Sequence, residues 1–583
     1  MNSSDSSKIR FSLRLQICQW SIFACLAILV IGLFQTQVIQ GGHYRKVSER
    51  NRIRLIRLEA PRGNILDRSG ELLATSRPAY DVYAIPEDFS LTHIPVIGKF
   101  LGLSEADIRE KLSEARYTSF TPVLFKADVS KEIAMQIEER RPELAGVFIL
   151  ISTRRAYPQG EVASHMVGYI GKISRAEYES LDPSVYHFNS WIGRSGIERE
   201  FDSRLRGEDG GRQLEVDARG VPIRLLSERK PEPGRDLQLT IDAKLEAGLA
   251  PLLGKWKGAI LVMDLKTGGI LAAVSSPAFD PNIFVSPNQG EERLKVIGSS
   301  DKKLLDRSFN GLYPPGSIFK LVTAMAALES GVITPHTTFT CPGYFRLGPG
   351  SRVFKCWFPE GHGRVDLYTA IERSCNVYFY NVGRLLGEKR LAAYARKLGF
   401  GSSIPMEIPT AKGIVPDREW KKKARGDKWY QGETITLAIG QSYLLVSPLQ
   451  ILRMVAAVAT DGKILDPKLV LDPSPEKLEE TKLGIREETF RALKQGMLQV
   501  VTSNRGTGQL ARVNFAKLAA KTGTAQAPPG EPHAWFGGFF PFEDPEVALV
   551  VFMERGKSGG FAAAQMAKKA AHLYHEIYGS QVS

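Results

Sequence analysis

Several features are missing from this chain of 583 residues, and each absence narrows what it can be. There is no internal repeat and no low-complexity tract. The length exceeds one ordinary hydrophobic core, so two or more folded units are expected. There is no zinc-finger spacing, no aromatic RNA-binding signature and no dinucleotide-type glycine motif, which leaves a nucleic-acid partner without support. Acid is in deficit: 63 Asp and Glu face 77 Lys and Arg, a net charge of +14. With nucleic acid set aside, that excess suits an anionic membrane or a cell-wall polymer. Cysteine is scarce, at five residues. A second long apolar run is absent as well.

The one long apolar run covers 15–42, holds no Asp, Glu, Lys or Arg, and reads WSIFACLAILVIGLF at its centre. That is long enough to cross a bilayer as a helix. The QTQVIQ that follows is a poor cleavage site, so an uncleaved signal anchor at 15–38 is expected rather than a removed signal peptide. Lys8, Arg10 and Arg14 against a single Asp5 suit a cytoplasmic tail at 1–14. The far flank is also basic (Arg45, Lys46, Arg50, Arg52), so charge supports this orientation only weakly. The rest of the chain is expected outside the cytoplasmic membrane.

Beyond the span, YRKVSERNRIRLIR at 44–57 reads as a basic strand or stalk. EAPRGNILDRSGELLATS alternates turn residues with short apolar runs, as strands and turns do. Residues 85–145 mix helical patterns such as SEADIREKLSEA with short strands, and 191–210, WIGRSGIEREFDSRLRGEDG, reads as a helix-like run. SERKPEPGRD at 227–236 reads as a linker. After it, LQLTID is a strand, and KGAILVMDLKTGGILAAVSS is a hairpin around Thr-Gly-Gly. The middle, 317–460, is mostly helix and loop. WFGGFF and VALVVFMERG are further strands, and GFAAAQMAKKAAHLYHEIY closes the chain as an amphipathic helix. Residues 473–482 read as a solvated loop. Strands at both ends with helices between them predict a sheet covered by helices.

Three short motifs carry the chemistry. Ser-x-x-Lys starts at Ser227, Ser299, Ser300, Ser317 and Ser474; Ser-x-Asn at Ser286, Ser308 and Ser374; Lys-Thr-Gly at Lys266 and Lys521. Context selects among them. Ser317 follows Pro314, Pro315 and Gly316 and opens a helix apolar on all sides, hence buried. Lys320 lies one turn on, on the same face. A desolvated lysine can take the proton that makes a serine hydroxyl nucleophilic. The other four serines sit in polar segments and read as caps beside solvated lysines. Lys521 lies in KLAAKTGTAQAP, where small residues let a peptide lie along a strand edge. The N–H groups of Thr524 and Ser317 are expected to share an oxyanion hole. Lys266 is a hairpin tip. Ser374 and Asn376 supply a hydroxyl and an amide to relay a proton and orient substrate. The order 317, 374, 521 fits the active-site set of penicillin-recognising serine enzymes.

With these motifs, APRGNILDRSG, GRSGIEREFDSRLRGEDG, LYPPGSIFK, CPGYF, GHGRV, KTGTAQ and HAWFGGFFP, the chain resembles the elongation-type class B penicillin-binding proteins over nearly its whole length. The resemblance implies a mixed α/β fold. Its parts are a transpeptidase domain at 236–578 with a central antiparallel sheet flanked by helices, an elongated α+β pedestal at 44–230, and one transmembrane helix. It implies a D,D-transpeptidase: Ser317 attacks the penultimate D-Ala carbonyl of a peptidoglycan stem peptide, and an amine of a neighbouring stem takes the acyl group. The resemblance also allows a D,D-carboxypeptidase side activity. Lys320, Ser374, Asn376 and Lys521 complete the catalytic set, Thr522, Gly523 and Thr524 bind substrate, and β-lactams acylate Ser317. Elongation-complex proteins, including a SEDS-type membrane glycosyltransferase, are the implied partners. The septal transpeptidase, a β-lactamase or β-lactam sensor, and a non-catalytic scaffold are the alternatives. Tyr-Pro-Pro-Gly-Ser, HAWF and the Cys/His cluster favour the elongation type, and the module at 45–230 is absent from the β-lactamases and sensors.

The family motif has Asp where ERSCNVYFY, 372–380, has Cys375. Cys18 and Cys25 lie in the membrane span, where cysteine serves as a small apolar filler. Cys341, Cys356 and Cys375 bracket His362 as C-x14-C-x5-H-x12-C. Three thiols cannot all pair internally. A Cys341–Cys356 disulfide with Cys375 free and a structural Cys₃His zinc site both fit the spacing, as does His362 as an ordinary loop residue. The resemblance favours zinc, which the family binds in this region through mixed Asp, His and Cys ligands. In a turn segment Ser374 and Asn376 face substrate while Cys375 points back toward the cluster.

Overall fold

The computed structural model describes residues 3–42, 44, 53–114, 122–183, 185–188, 190–216, 222–471 and 481–579. The basic residues Arg45, Lys46, Arg50 and Arg52 lie outside the described residues, as does 472–480, which takes in Ser474 and most of the loop expected at 473–482. The chain forms two compact units: 1–61, 79–153 and 207–233 make one, and 62–78, 154–206 and 234–583 make the other.

The smaller unit begins with the helix Ser3–Phe34, continued by a wider turn Gln35–Ile39. Within it Leu15–Ile39 is long and apolar enough to cross a membrane. Strands Ile53–Leu58, Gly210–Val216 and Pro222–Arg229 form an antiparallel sheet. The strand at 222–229 takes up the first residues of the expected linker, because Gln213 and Arg212 pair with Ser227 and Glu228. A second core gathers Val82, Ile97, Leu101, Ile108, Phe125 and Ile137. They come from the strands Leu72–Ala84 and Val123–Val129 and the helices Ile94–Leu101, Glu105–Glu114 and Lys131–Glu139.

The larger unit is built on five antiparallel strands in the spatial order Ile270–Ser276, Gly258–Asp264, Val547–Met553, His533–Phe540, Ala519–Ala525. The expected hairpin is there, turning through Gly268 at φ +76°. Successive strand residues point to opposite faces. In Val547–Met553 every one is buried, so both faces of the sheet are covered. The helices Ala243–Leu253 and Ala564–Tyr578 pack against each other. Pro448–Ala459 lies across the central strands, and Glu487–Thr502 lies against the strand Ala519–Ala525. That last strand is an edge, the position from which a backbone can pair with another chain.

Two expectations change. LQLTID is a strand only at Leu237–Gln238; Asp242 accepts from Leu245 N–H and caps the next helix instead. The run 191–210 is a strand, Trp191–Gly193, and two short helices, Gly196–Glu200 and Asp202–Leu205. Backbones cross too closely there for one helix: a β-carbon on Gly193 would sit 1.9 Å from Glu198 O. The buried Glu198 instead receives Arg62 at 2.9 Å and Arg155 at 2.6 Å.

Candidate active site

The segment before Ser317 is pinned at three points. Trp535 Nε1 donates to Pro314 O at 3.0 Å, Gly316 N–H to Gly440 O at 2.9 Å, and Tyr313 OH to Glu554 Oε1 at 2.6 Å. Glu554 also receives Arg307 Nε at 2.8 Å. Gly316 takes φ +56°, where a side chain is strained, and a β-carbon there would meet Thr524 O at 2.9 Å. Ser317 lies in a single tight turn, Gly316–Phe319, and the α-helix Lys320–Glu329 follows, buried through Leu328.

The fold draws three sequence-distant motifs together. Lys320 Nζ donates to Ser374 Oγ at 3.1 Å, Ser374 O at 2.7 Å and Asn376 Oδ1 at 2.7 Å. Lys521 Nζ donates to the same Ser374 Oγ at 3.0 Å and to Thr522 O at 2.9 Å. Both lysines are 0% exposed. Burial pushes Lys320 down to about 8, against the raising influence of Cys375 and Cys356. Lys521 is pushed well below the ordinary lysine value by burial and by the neighbouring Lys320 charge. The Ser317 hydroxyl makes no hydrogen bond to the described residues; such bonds tighten in substrate complexes. Thr522 is buried and Thr524 exposed on the edge strand, with Gly523 between them. A β-carbon on Gly523 would be 3.0 Å from Pro315 O, so this strand runs hard against the serine loop.

Ser374 sits at φ +53° and Cys375 caps the helix Asn376–Lys397, its sulfur accepting from Tyr378 N–H at 3.5 Å. The thiol is turned inward, at 0% exposure. Cys341, Cys356, His362 and Cys375 converge, with all ligand atoms within 4.8 Å of one another and no disulfide. His362 Nδ1 lies 3.6 Å from both Cys341 Sγ and Cys356 Sγ. Hydrogen bonding from Cys375 lowers both of those thiols and raises Cys375 itself. Lys266, Ser299 and Ser300 take no part in the site. Sequence reasoning passed over Thr507, whose hydroxyl bonds Thr522 at 2.8 Å and whose N–H reaches Glu372 O. It also passed over Trp357, whose Nε1 donates to Arg373 O at 2.9 Å. Neither stands in a motif, so only the fold reveals them.

A Ser-x-x-Lys turn with its lysine buried, a Ser-x-Asn cap and a Lys-Thr-Gly edge strand, gathered around the Ser374 hydroxyl, define a serine acyltransferase of the acyl-enzyme type. Residues 258–572 match the family described as penicillin binding protein transpeptidase domain, and residues 57–239 match the penicillin-binding protein dimerisation domain. The chain belongs to the class B penicillin-binding proteins. It is 32% identical to peptidoglycan D,D-transpeptidase MrdA of Haemophilus influenzae, over 97% of this chain and 92% of the relative. It is 31% identical to the MrdA of Escherichia coli K12, over 95% and 92%. Among solved structures, PBP2 of Helicobacter pylori in its complex with MreC covers 90% of this chain and 99% of its own at TM-score 0.80 and 30% identity. PBP2 of Pseudomonas aeruginosa gives 89%, 96%, 0.69 and 30%.

Proposed function

We propose that this chain cross-links peptidoglycan stem peptides during cell elongation as a D,D-transpeptidase, with Ser317 as nucleophile. The observation that carries the reading is the single Ser374 hydroxyl held between two buried lysines, at 3.1 and 3.0 Å. Neutral Lys320 takes the Ser317 proton as the hydroxyl adds to the penultimate D-Ala carbonyl. Lys320 hands that proton on through the Ser374 hydroxyl, 3.1 Å away, to the departing D-Ala amine, and Asn376 and Lys521 orient the donor stem. Its backbone lies along Thr522–Gly523–Thr524 on the free strand edge. The N–H groups of Ser317 and Thr524 receive the oxyanion. An amine from a second stem then frees the serine, and a β-lactam stops at the first step. Likeness to MrdA and PBP2 over nearly full length favours elongation over septation.

The Cys₃His set is a known zinc ligand combination. A tetrahedral site with Zn–S of about 2.3 Å needs donors roughly 3.6–3.8 Å apart, close to the 3.6 Å His–Cys separations. We therefore assign Cys341, Cys356, His362 and Cys375 to a structural zinc, which would hold the segment behind Ser374 and take no part in acyl transfer. The apolar helix would anchor the protein once in the cytoplasmic membrane with the remainder outside. There its partners would be stem peptides, a SEDS-type glycosyltransferase and elongation proteins of the kind seen in the MreC complex.

Intact mass of the full-length protein with penicillin tests the reading. The wild type should gain one penicilloyl adduct on Ser317, and Ser317→Ala, with unchanged melting, should gain none. An acylated Ser317→Ala would overturn it.

A further inference from the structure

A cavity of about 490 Å³ lies away from the catalytic residues. It opens beside the strand Ile270–Ser276, the sheet edge opposite the Lys521 strand. Four strand spacings separate the two edges, roughly 19 Å. Its walls are mostly small and apolar, including Ala247, Ala250, Pro251, Val274, Pro277 and Ala278. Glu246 reaches into this lining from the helix Ala243–Leu253 and is 3% exposed. One of its oxygens accepts from Ala273 N–H at 2.8 Å, and among the described residues it pairs with no cation. Burial raises the acid to about 8, the signature of a carboxyl lacking a counter-charge. The Ser164 hydroxyl, from another lining residue 2% exposed, has no hydrogen-bond partner among the described residues.

We propose that this cavity binds a small organic ammonium ligand, its charged nitrogen on Glu246 and its hydrocarbon body against the alanine, proline and valine walls. The chemistry of the lining excludes the alternatives. An anion would meet two acids, Glu161 and Glu246, with Lys303 as the single basic side chain besides His165. His165 is engaged at Nε2 with Lys303 O at 2.8 Å. A sugar needs several free polar partners, but the Ser275 hydroxyl already accepts from Arg307 N–H at 2.8 Å and donates to Leu305 O. Among the described residues no group of three His, Cys, Asp or Glu side chains gathers at Glu246 to hold a metal. An ammonium supplies what the site lacks, a charge-assisted donor that would hold the buried Glu246 acid as its carboxylate. Small wall residues leave room for a compact aliphatic or aromatic body.

The test is titration of the full-length protein in detergent with cyclohexylammonium and benzylammonium chloride, followed by calorimetry. It is run with Ser317 free and after exposure to penicillin, so the outcome does not depend on the catalytic reading. Saturable binding is expected in both states, with cyclohexanol and benzyl alcohol failing to compete. Glu246→Gln keeps the shape and should weaken binding at least about tenfold. Ala250→Leu fills the mouth from an exposed helix position that tolerates leucine, and should weaken binding comparably. No saturable binding to wild type, equal affinity in Glu246→Gln or in Ala250→Leu, or equal competition by the alcohols would each overturn the proposal.

Discussion

Lys320 is caught between two opposing effects. Its three acceptors at 2.7–3.1 Å hold an ammonium well, whereas complete burial disfavours the charge. Burial dominates and brings the group down to about 8. Above about pH 8 the neutral amine predominates and can accept the Ser317 proton; below it the resting enzyme holds an ammonium that cannot. The second-order rate of penicillin acylation should therefore climb with pH, about tenfold per unit below the midpoint, and level off above it. Lys320→Arg keeps a cation but cannot deprotonate, so it should lose about 10²–10⁴ in rate together with the climb. Stopped-flow rates across this range check both. A wild-type profile flat between about pH 6 and pH 9 would remove Lys320 from the role of base.

At the scale of elements, the cluster ties a small insertion to the helix that carries Asn376. Cys341 ends the strand Phe339–Cys341, which pairs with Gly363–Val365 beside His362. Cys356 follows Val353–Lys355, and Cys375 caps Asn376–Lys397. Serine is a better cap than cysteine, so Cys375→Ser keeps the helix start and removes one sulfur ligand from the proposed zinc set. Metal analysis should show zinc falling from about one per chain toward none, as expected for a four-ligand structural site reduced to three. Penicillin acylation should slow while the Ser317 adduct still forms. Wild-type zinc content in the variant would release Cys375 from the set. The sequence displayed this cluster only as a spacing compatible with zinc or a disulfide, because linear spacing does not say which thiols meet. Elements set by local chemistry were readable: the Thr-Gly-Gly hairpin, the buried helix after Ser317, and the closing helix. The run from Trp191 was not, because its form depends on Gly193 passing against the Glu198 backbone. Thr507 was invisible for the same kind of reason, since its partners Thr522 and Glu372 are distant in sequence.

Across the whole molecule, reading the chain in order suggests a boundary near 230–236 with a transpeptidase domain at 236–578. The compact units divide differently, because short segments earlier in the chain belong to the larger one. Leu237 and Gln238 pair in parallel with Ile65 and Leu66. Ala243 N–H donates to Asp67 Oδ2 at 3.1 Å, and Arg68 N–H to Ile241 O at 2.8 Å. Asn282 exchanges two hydrogen bonds with the Tyr157 backbone, at 3.0 and 2.9 Å. Ile65, Leu73, Met166, Ile197 and Leu205 are all within 2% of full burial in the same core. Five such side chains, at about 1.5–3 kcal/mol each, rival the net stability of a typical domain. A fragment of 236–578 would lose them and expose Leu237, Leu239 and Ile241, all 0% exposed in the intact chain. That fragment should be insoluble or fail to form a penicilloyl adduct. A fragment of 57–578, which keeps 62–78 and 154–206, should stay soluble and be acylated at a rate close to the full-length protein. Expression of both, with the adduct read by mass, distinguishes the two divisions of the chain. If 236–578 folds and acylates as well as 57–578, the catalytic fold is independent of the earlier segments.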